Sequence, residues 1–290
     1  MGRTVRILAA LSLAGFTAPL AAETAPLKPV TRWHSESDGD RCRVSRVFSH
    51  AGQNHLVMLE QFARGSGVSL TVAGPALASI AGGRPAPLSL THGQSTVELE
   101  AVNAEVPIFG PTVMLMDVPL GVAPSAATAQ SELGASGELT LARSATAVRF
   151  QTGSLEEPGA LLEACTLKLA ASLGLDVSDQ RAATTPQWLN RATLHPRIAG
   201  SFRDSGPRQQ VPRSIAHLRV IVSEAGVAED CTLIFATGWA LDNNKACRLM
   251  RKARFRPALN TSGQPVRSAY AASFRDYRLD PPKGEVAPNY

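Results

Sequence analysis

The chain of 290 residues is 44% hydrophobic and 18% charged, which excludes an intrinsically disordered protein and leaves room for one large core or two small ones. Its charge is split: residues 23–190 carry a net −5 and residues 191–290 a net +8, a change of sign that suggests two units with different surfaces. A basic half can serve nucleic acid or anionic lipid, but no aromatic-rich stacking strand accompanies the arginines, so a solvated basic face is expected and no nucleic-acid partner.

At the amino terminus Arg3 and Arg6 precede a run from Ile7 to Ala22 without any charge. Small Ala21 and Ala22 then lead into polar Glu23. This order reads as a signal peptide over 1–22, although Leu20 occupies a position where a smaller residue is usual. The apolar run falls short of the roughly 20 residues a spanning helix needs. The competing reading is a leader retained as an anchor. Later apolar stretches are interrupted by Asp117, Glu163 and Lys168, so no integral span is expected once the leader is removed.

A polar, flexible segment follows over 23–39, and then a β-rich unit over 40–180. Short apolar alternations predict strands at Cys42–Phe48, His55–Phe62, Val68–Val72, Thr96–Val102 and Thr112–Val118, with a weaker one at Ala147–Thr152. Breaks rich in glycine and proline separate them, as in Phe109-Gly110-Pro111, and the spacing suggests a sandwich-like or barrel-like fold. A helix is expected next. Glu156, Glu157 and Pro158 suit its first turn, Leu162, Cys165, Leu169 and Leu173 form an apolar stripe, and Gly174 suits its end. Residues 181–212 are rich in Pro, Arg, Ser and Thr and read as a linker, with a short structured piece around Trp188.

Four cysteines, Cys42, Cys165, Cys231 and Cys247, favour two disulfides in an exported chain, and three connectivities are open. No CxxC pair and no histidine at ligand spacing point to a metal, and no fingerprint calls for a cofactor. Nucleophile elbows, HExxH pairs and phosphate loops are absent from the sequence, so no catalytic residue and no enzyme activity are expected. His50 and His55 flank a turn and read as surface residues. Glu98 and Glu100 read as a solvated strand face, and Ser136 as loop.

The last unit, 213–280 with a tail over 281–290, has the order β-β-α-β. Leu218, Val220 and Val222 share one face of a first strand, and Arg219, Ile221 and Ser223 the other. A turn at Glu224-Ala225-Gly226 leads to a second strand from about Glu229 to Ala236. Asp242 is placed to cap a helix with Ala246, Leu249, Met250 and Ala253 on one side, and Phe255-Arg256-Pro257-Ala258 ends it. A final strand runs from Val266 to Tyr277, with Val266, Tyr270, Ala272 and Phe274 on one face. With Thr237-Gly238-Trp239-Ala240-Leu241-Asp242 before the helix, and Arg254 to Ala258 and Gly263-Gln264-Pro265-Val266 after it, residues 214–278 resemble the TonB C-terminal domain.

With the β-rich N-terminal domain and its one helix read from patterning, the resemblance completes an α+β chain that ends in a small TonB-like domain, and it implies the periplasm of a Gram-negative envelope. Laid on that domain, the second strand with Cys231 packs against the helix with Cys247, implying a Cys231–Cys247 disulfide and leaving Cys42 with Cys165. It also implies a module that adds an extended peptide to a sheet edge. The final strand, with Arg267, Tyr270, Arg275 and Arg278, is the candidate: its arginines alternate toward solvent and would favour an acidic partner, or would instead protect an exposed edge from aggregation. The resemblance implies an envelope protein as that partner, such as a segment of an outer-membrane transporter. TonB energy transducers carry an uncleaved anchor and a long Pro-rich spacer. Here the leader looks cleavable and a folded domain replaces the spacer, so a periplasmic binding or scaffold protein is expected. Energy transduction for transport is the alternative if the leader stays. Intact mass of the native protein is expected to begin at about Glu23 in the periplasmic fraction, and a full-length mass in the membrane fraction would establish the anchored form.

Overall fold

Among the described residues strands recur from Lys28 to Phe150 and again near the end, so sheets dominate with a few helices between them. The computed structural model describes residues 25–82, 87–120, 137–182, 184–201, 214–236 and 243–276. The leader over 1–22, Ser136, the whole motif from Thr237 to Asp242 with its helix cap, Arg278 and the tail lie outside the described residues.

In chain order the strands are β1 (Lys28–Pro29), β2 (His34–Ser37), β3 (Cys42–His50), β4 (Gln53–Gln61), β5 (Val68–Ala73), β6 (Pro87–His92), β7 (Ser95–Glu100), β8 (Val102–Val106), β9 (Gly110–Val118), β10 (Leu139–Arg143) and β11 (Thr146–Phe150). The helices α1 (Glu156–Ser172) and α2 (Val177–Ala182) follow, then β12 (Gln187–Trp188) and α3 (Arg191–Ser201). Next come β13 (Ser214–Val222), β14 (Ala228–Ala236), α4 (Asn243–Met250), β15 (Phe255–Arg256), β16 (Ala258–Leu259), β17 (Pro265–Val266) and β18 (Ser268–Asp276).

One sheet has the order β1-β3-β4-β5-β9-β8, with β2 also paired to β3, and a second has the order β11-β10-β6-β7. The β3–β4 hairpin closes through Ala51 and Gly52, both at positive φ (50° and 77°), the geometry that follows the natural twist of the two strands. Between β7 and β8 only buried Ala101 intervenes, so the chain steps there from one sheet directly into the other. Alternation decides what lies between the sheets. Val44, Phe48, Val57, Leu59, Leu70, Val72, Val113 and Leu115 come from the first, and Leu88, Leu90, Leu139, Leu141, Val148 and Phe150 from the second. Phe48 and Phe150 meet edge to face at 5.4 Å. α1 closes one side of this core with Leu162, Cys165 and Leu169. Gly174, at φ 72°, ends it.

Strands β6 and β10 fall where the sequence gives only breaks. Leu88 and Leu90 stand among Ser, Thr and Pro, and Leu139 and Leu141 follow a small-residue run, so the alternation is too short to be distinctive. His55 corrects a second expectation. It is 1% exposed, not a surface residue. Its Nδ1 lies 3.1 Å from the Gln53 carbonyl oxygen and its Nε2 accepts from the Ala76 amide at 3.0 Å, which fixes a neutral ring with the proton on Nδ1. The ring fits because Gly74 has no side chain: a Cβ there would lie 2.2 Å from His55 Cδ2.

Two cysteine pairs lie at disulfide distance. Cys42 of β3 and Cys165 of α1 have Cα atoms 5.8 Å apart, and Cys231 of β14 and Cys247 of α4 have Cα atoms 5.5 Å apart. The first pair spans 123 residues of chain and pins α1 across the core. Truncating the ring at the centre of this core, Phe48→Ala, is expected to cost about 3–5 kcal/mol of unfolding free energy in urea titrations.

Candidate functional site

The final strand carries the sequence-derived candidates, and its surroundings begin with register. β13 pairs with β18 through nine consecutive antiparallel partners, from Ser214↔Asp276 to Val222↔Ser268, without a shift. On its other edge β13 pairs with β14, and that ladder shifts twice, between His217 and Leu218 and between Val220 and Val222. The three-stranded order is therefore β14-β13-β18, with β18 at one edge.

One face of this sheet meets helices. Ala216, Leu218, Val220 and Val222 of β13, with Ala272 and Phe274 of β18, pack on Trp188, Leu194, Ile198, Ala246, Met250 and Phe255. α3, which supplies Leu194 and Ile198, occupies part of the stretch read as linker. Pro196 inside it and its Arg and Thr content mask the periodicity. His195 also reaches β18, with Nε2 3.1 Å from the Ser273 carbonyl oxygen.

The opposite face is the larger surprise. Arg219 and Ile221 were expected to point away from the C-terminal core, and they do, but into another contact. Ile221, Ala269 and Ala271 pack with Phe62, Ala63, Ala170 and Leu175, and Ile215 packs with Val102 and Met116. The sandwich and α1 thus cover the whole back of β13. The available signal was the apolar character of Ile215, Ile221, Ala269 and Ala271, which mark a strand pair buried on both sides.

Several polar groups in this contact have specific partners. Arg219, 6% exposed, donates to the Asp40 carbonyl at 2.9 Å and to Asp40 Oδ1 at 3.1 Å, gripping the loop between β2 and β3. The His217 ring stacks on Phe62 with centroids 3.9 Å apart, and its Nδ1 lies 3.0 Å from Ser273 Oγ. Burial, with the Arg41 charge adding to it, pushes His217 down to about 3. On the neighbouring strand, burial holds the Glu60 carboxyl above its ordinary range against the opposing pull of Arg41 and Arg43. Farther along the contact Arg64 Nε donates to Glu163 at 2.8 Å, and Arg191 lies 3.5 Å from Asp117.

The four sequence-derived residues fall in different settings. Arg267 is exposed, pairs with Glu229 at 2.8 Å and approaches Asp230 at 3.9 Å, while its carbonyl accepts from buried Gln180 Nε2 at 2.8 Å. Tyr270 lies on the helix side, 5.0 Å from the Phe255 ring and 6.3 Å from Trp188, and burial raises its phenol above the ordinary value. The Arg275 backbone pairs with Ile215, its side chain is outside the described residues, and so is all of Arg278. Among the described residues, no three His, Cys, Asp or Glu side chains are grouped to hold a metal ion, and no helix is long and apolar enough to cross a membrane. No family model, no curated protein and no solved structure matches the chain.

The depressed His217 gives this contact a pH dependence. Neutral imidazole is favoured when folded, whereas the unfolded ring takes a proton near pH 6.5, so stability is full above that value and falls as pH drops towards 3. Between pH 7 and pH 5 the loss is expected to be about 2 kcal/mol. Glu60 acts in the opposite sense, since its raised carboxyl favours the folded form as acid is added. Urea midpoints of the wild type and of His217→Phe at the two pH values isolate the histidine, and the variant is expected to lack that loss.

Proposed function

We propose that the chain is an exported protein-binding or scaffold protein of the cell envelope, that residues 213–280 form a TonB-like domain, and that this domain adds an extended acidic segment of an envelope protein to the edge of β18. The observation that carries the reading is the unbroken nine-residue ladder of β18 on β13 at the sheet edge. The strand is straight along its whole length, and main-chain donors and acceptors of such an edge are where an added strand gains its affinity; at Ser273 the carbonyl also lies 3.1 Å from His195 Nε2. The opposite edge, β14, is interrupted twice, and irregularities of that kind blunt an edge against pairing.

The β-β-α-β order of β13, β14, α4 and β18 supports the domain assignment, and the two cysteine pairs suit an exported chain. Charge supports an acidic partner. The C-terminal hundred residues carry a net +8, and Arg267 stands exposed where β18 begins. The sandwich on the back of the sheet fixes the strand from behind, so the edge would be rigid before a partner arrives.

The test is a nuclear magnetic resonance titration of the full chain with a synthetic extended peptide alternating Glu and Val. Amide shifts are expected to run along residues 268–276, and Arg267→Glu is expected to weaken binding about fivefold, the scale of an exposed charge pair. Shifts confined to β14, or no binding at any peptide concentration, would remove the reading.

A further inference from the structure

The two disulfides differ in what surrounds them. Cys42 is 0% exposed and Cys165 8%, and both belong to the core between the sheets and α1. Cys247 is similarly buried at 6%, but Cys231 is only partly buried and lines a cleft of about 260 Å³. That cleft lies beside the second break in the β13–β14 ladder, where Val220 pairs with Cys231 and Val222 with Ala228. Arg219 and exposed Arg251 line it, together with Thr232, Asp230 and Leu173; the Arg219 guanidinium is held on Asp40 at the sandwich, and Arg251, just after α4, is the basic group on the side of the disulfide. Asp230, the acidic group among them, has its carboxylate 3.9 Å from Arg267.

We infer that Cys231–Cys247 is a thiol-exchange site that takes a dithiol reductant through this cleft, whereas Cys42–Cys165 is a closed structural bond. Access decides which sulfur is attacked, and positive charge nearby stabilises both the incoming thiolate and the leaving one. The reductant's thiolate attacks Cys231 Sγ and forms a mixed disulfide. The bond to Cys247 breaks, and Cys247 leaves as a thiolate that then takes a proton. The second thiol of the reductant attacks its own sulfur in the mixed disulfide, closes to a disulfide and frees Cys231. The protein gains two electrons and two protons, and the dithiol is oxidised. Opening the bond releases β14, the strand with the interrupted ladder, from α4.

The experiment uses the intact folded chain and dithiothreitol, with samples quenched in N-ethylmaleimide over time and mapped by peptide mass spectrometry. Cys231 and Cys247 are expected to become alkylated roughly tenfold faster than Cys42 and Cys165. A monothiol, glutathione, is expected to be trapped on Cys231 rather than Cys247. Arg251→Gln, a change at an exposed position, is expected to slow the exchange about threefold, as for a one-unit change in thiol acidity at a Brønsted slope near 0.5. The inference fails if Cys42–Cys165 opens first or at the same rate, if glutathione is found on Cys247, or if Arg251→Gln leaves the rate unchanged.

Discussion

β13 is enclosed in every direction, by strands on both edges, helices on one face and the sandwich with α1 on the other, and most of the C-terminal architecture follows from that enclosure. A strand buried on both faces must be apolar twice over, and Ile215, Ala216, Leu218, Val220, Ile221 and Val222 meet that demand. It also makes register unforgiving, because a slip of one residue would drive His217 and Arg219 among Trp188, Met250 and Phe274. The unshifted pairing with β18 is therefore tied to the contact behind it as much as to its own hydrogen bonds.

The polar residues of that strand show how the contact is made specific. Removing a guanidinium from water costs several kcal/mol, and hydrogen bonds to a partly exposed loop return only part of it. Hydrophobic residues at the same place would hold at least as well, but they would hold in more than one position. Arg219 is satisfied only where the backbone carbonyl and the carboxylate of Asp40 converge on it, and His217 only where Phe62 and Ser273 meet its ring and its nitrogen. These groups set where the sandwich sits on the sheet, while Phe62, Ile221, Ala269 and Ala271 supply the attraction.

Much of the strand pattern was legible before any coordinates. β3 and β5 announce themselves by apolar residues alternating with polar ones, although β5 is buried throughout, and β4 and β9 by apolar runs at Leu56–Leu59 and Val113–Met116. β6 and β10 do not, since two leucines among Ser and Thr are too few, and α3 is hidden by its own proline. His55 misled because a histidine reads as polar, and its burial depends on a glycine nineteen positions away, a pairing with no local signature. At the candidate edge the exposure of Arg267 and the inward face of Tyr270 and Phe274 follow from alternation. What covers the other face does not, because periodicity says that a surface is apolar without saying which distant residues lie against it.

The bond between Cys42 and Cys165 also imposes an order on how the chain is completed. During synthesis Cys42 emerges 123 residues ahead of its partner, and Leu27 is separated by the same length of chain from Phe150, its bridge partner. The first sheet can gather its hairpins early, but its inner face stays uncovered until β10, β11 and α1 have arrived. Throughout that interval an unpaired thiol sits at the start of β3 beside a half-built apolar surface, the kind of species prone to aggregate or to pair with the wrong cysteine. Both cysteines of this pair precede both of the second, with Cys231 following Cys165 by 66 residues. Staggering the two pairs so that neither encloses a cysteine of the other lets each bond close among the cysteines present at that moment.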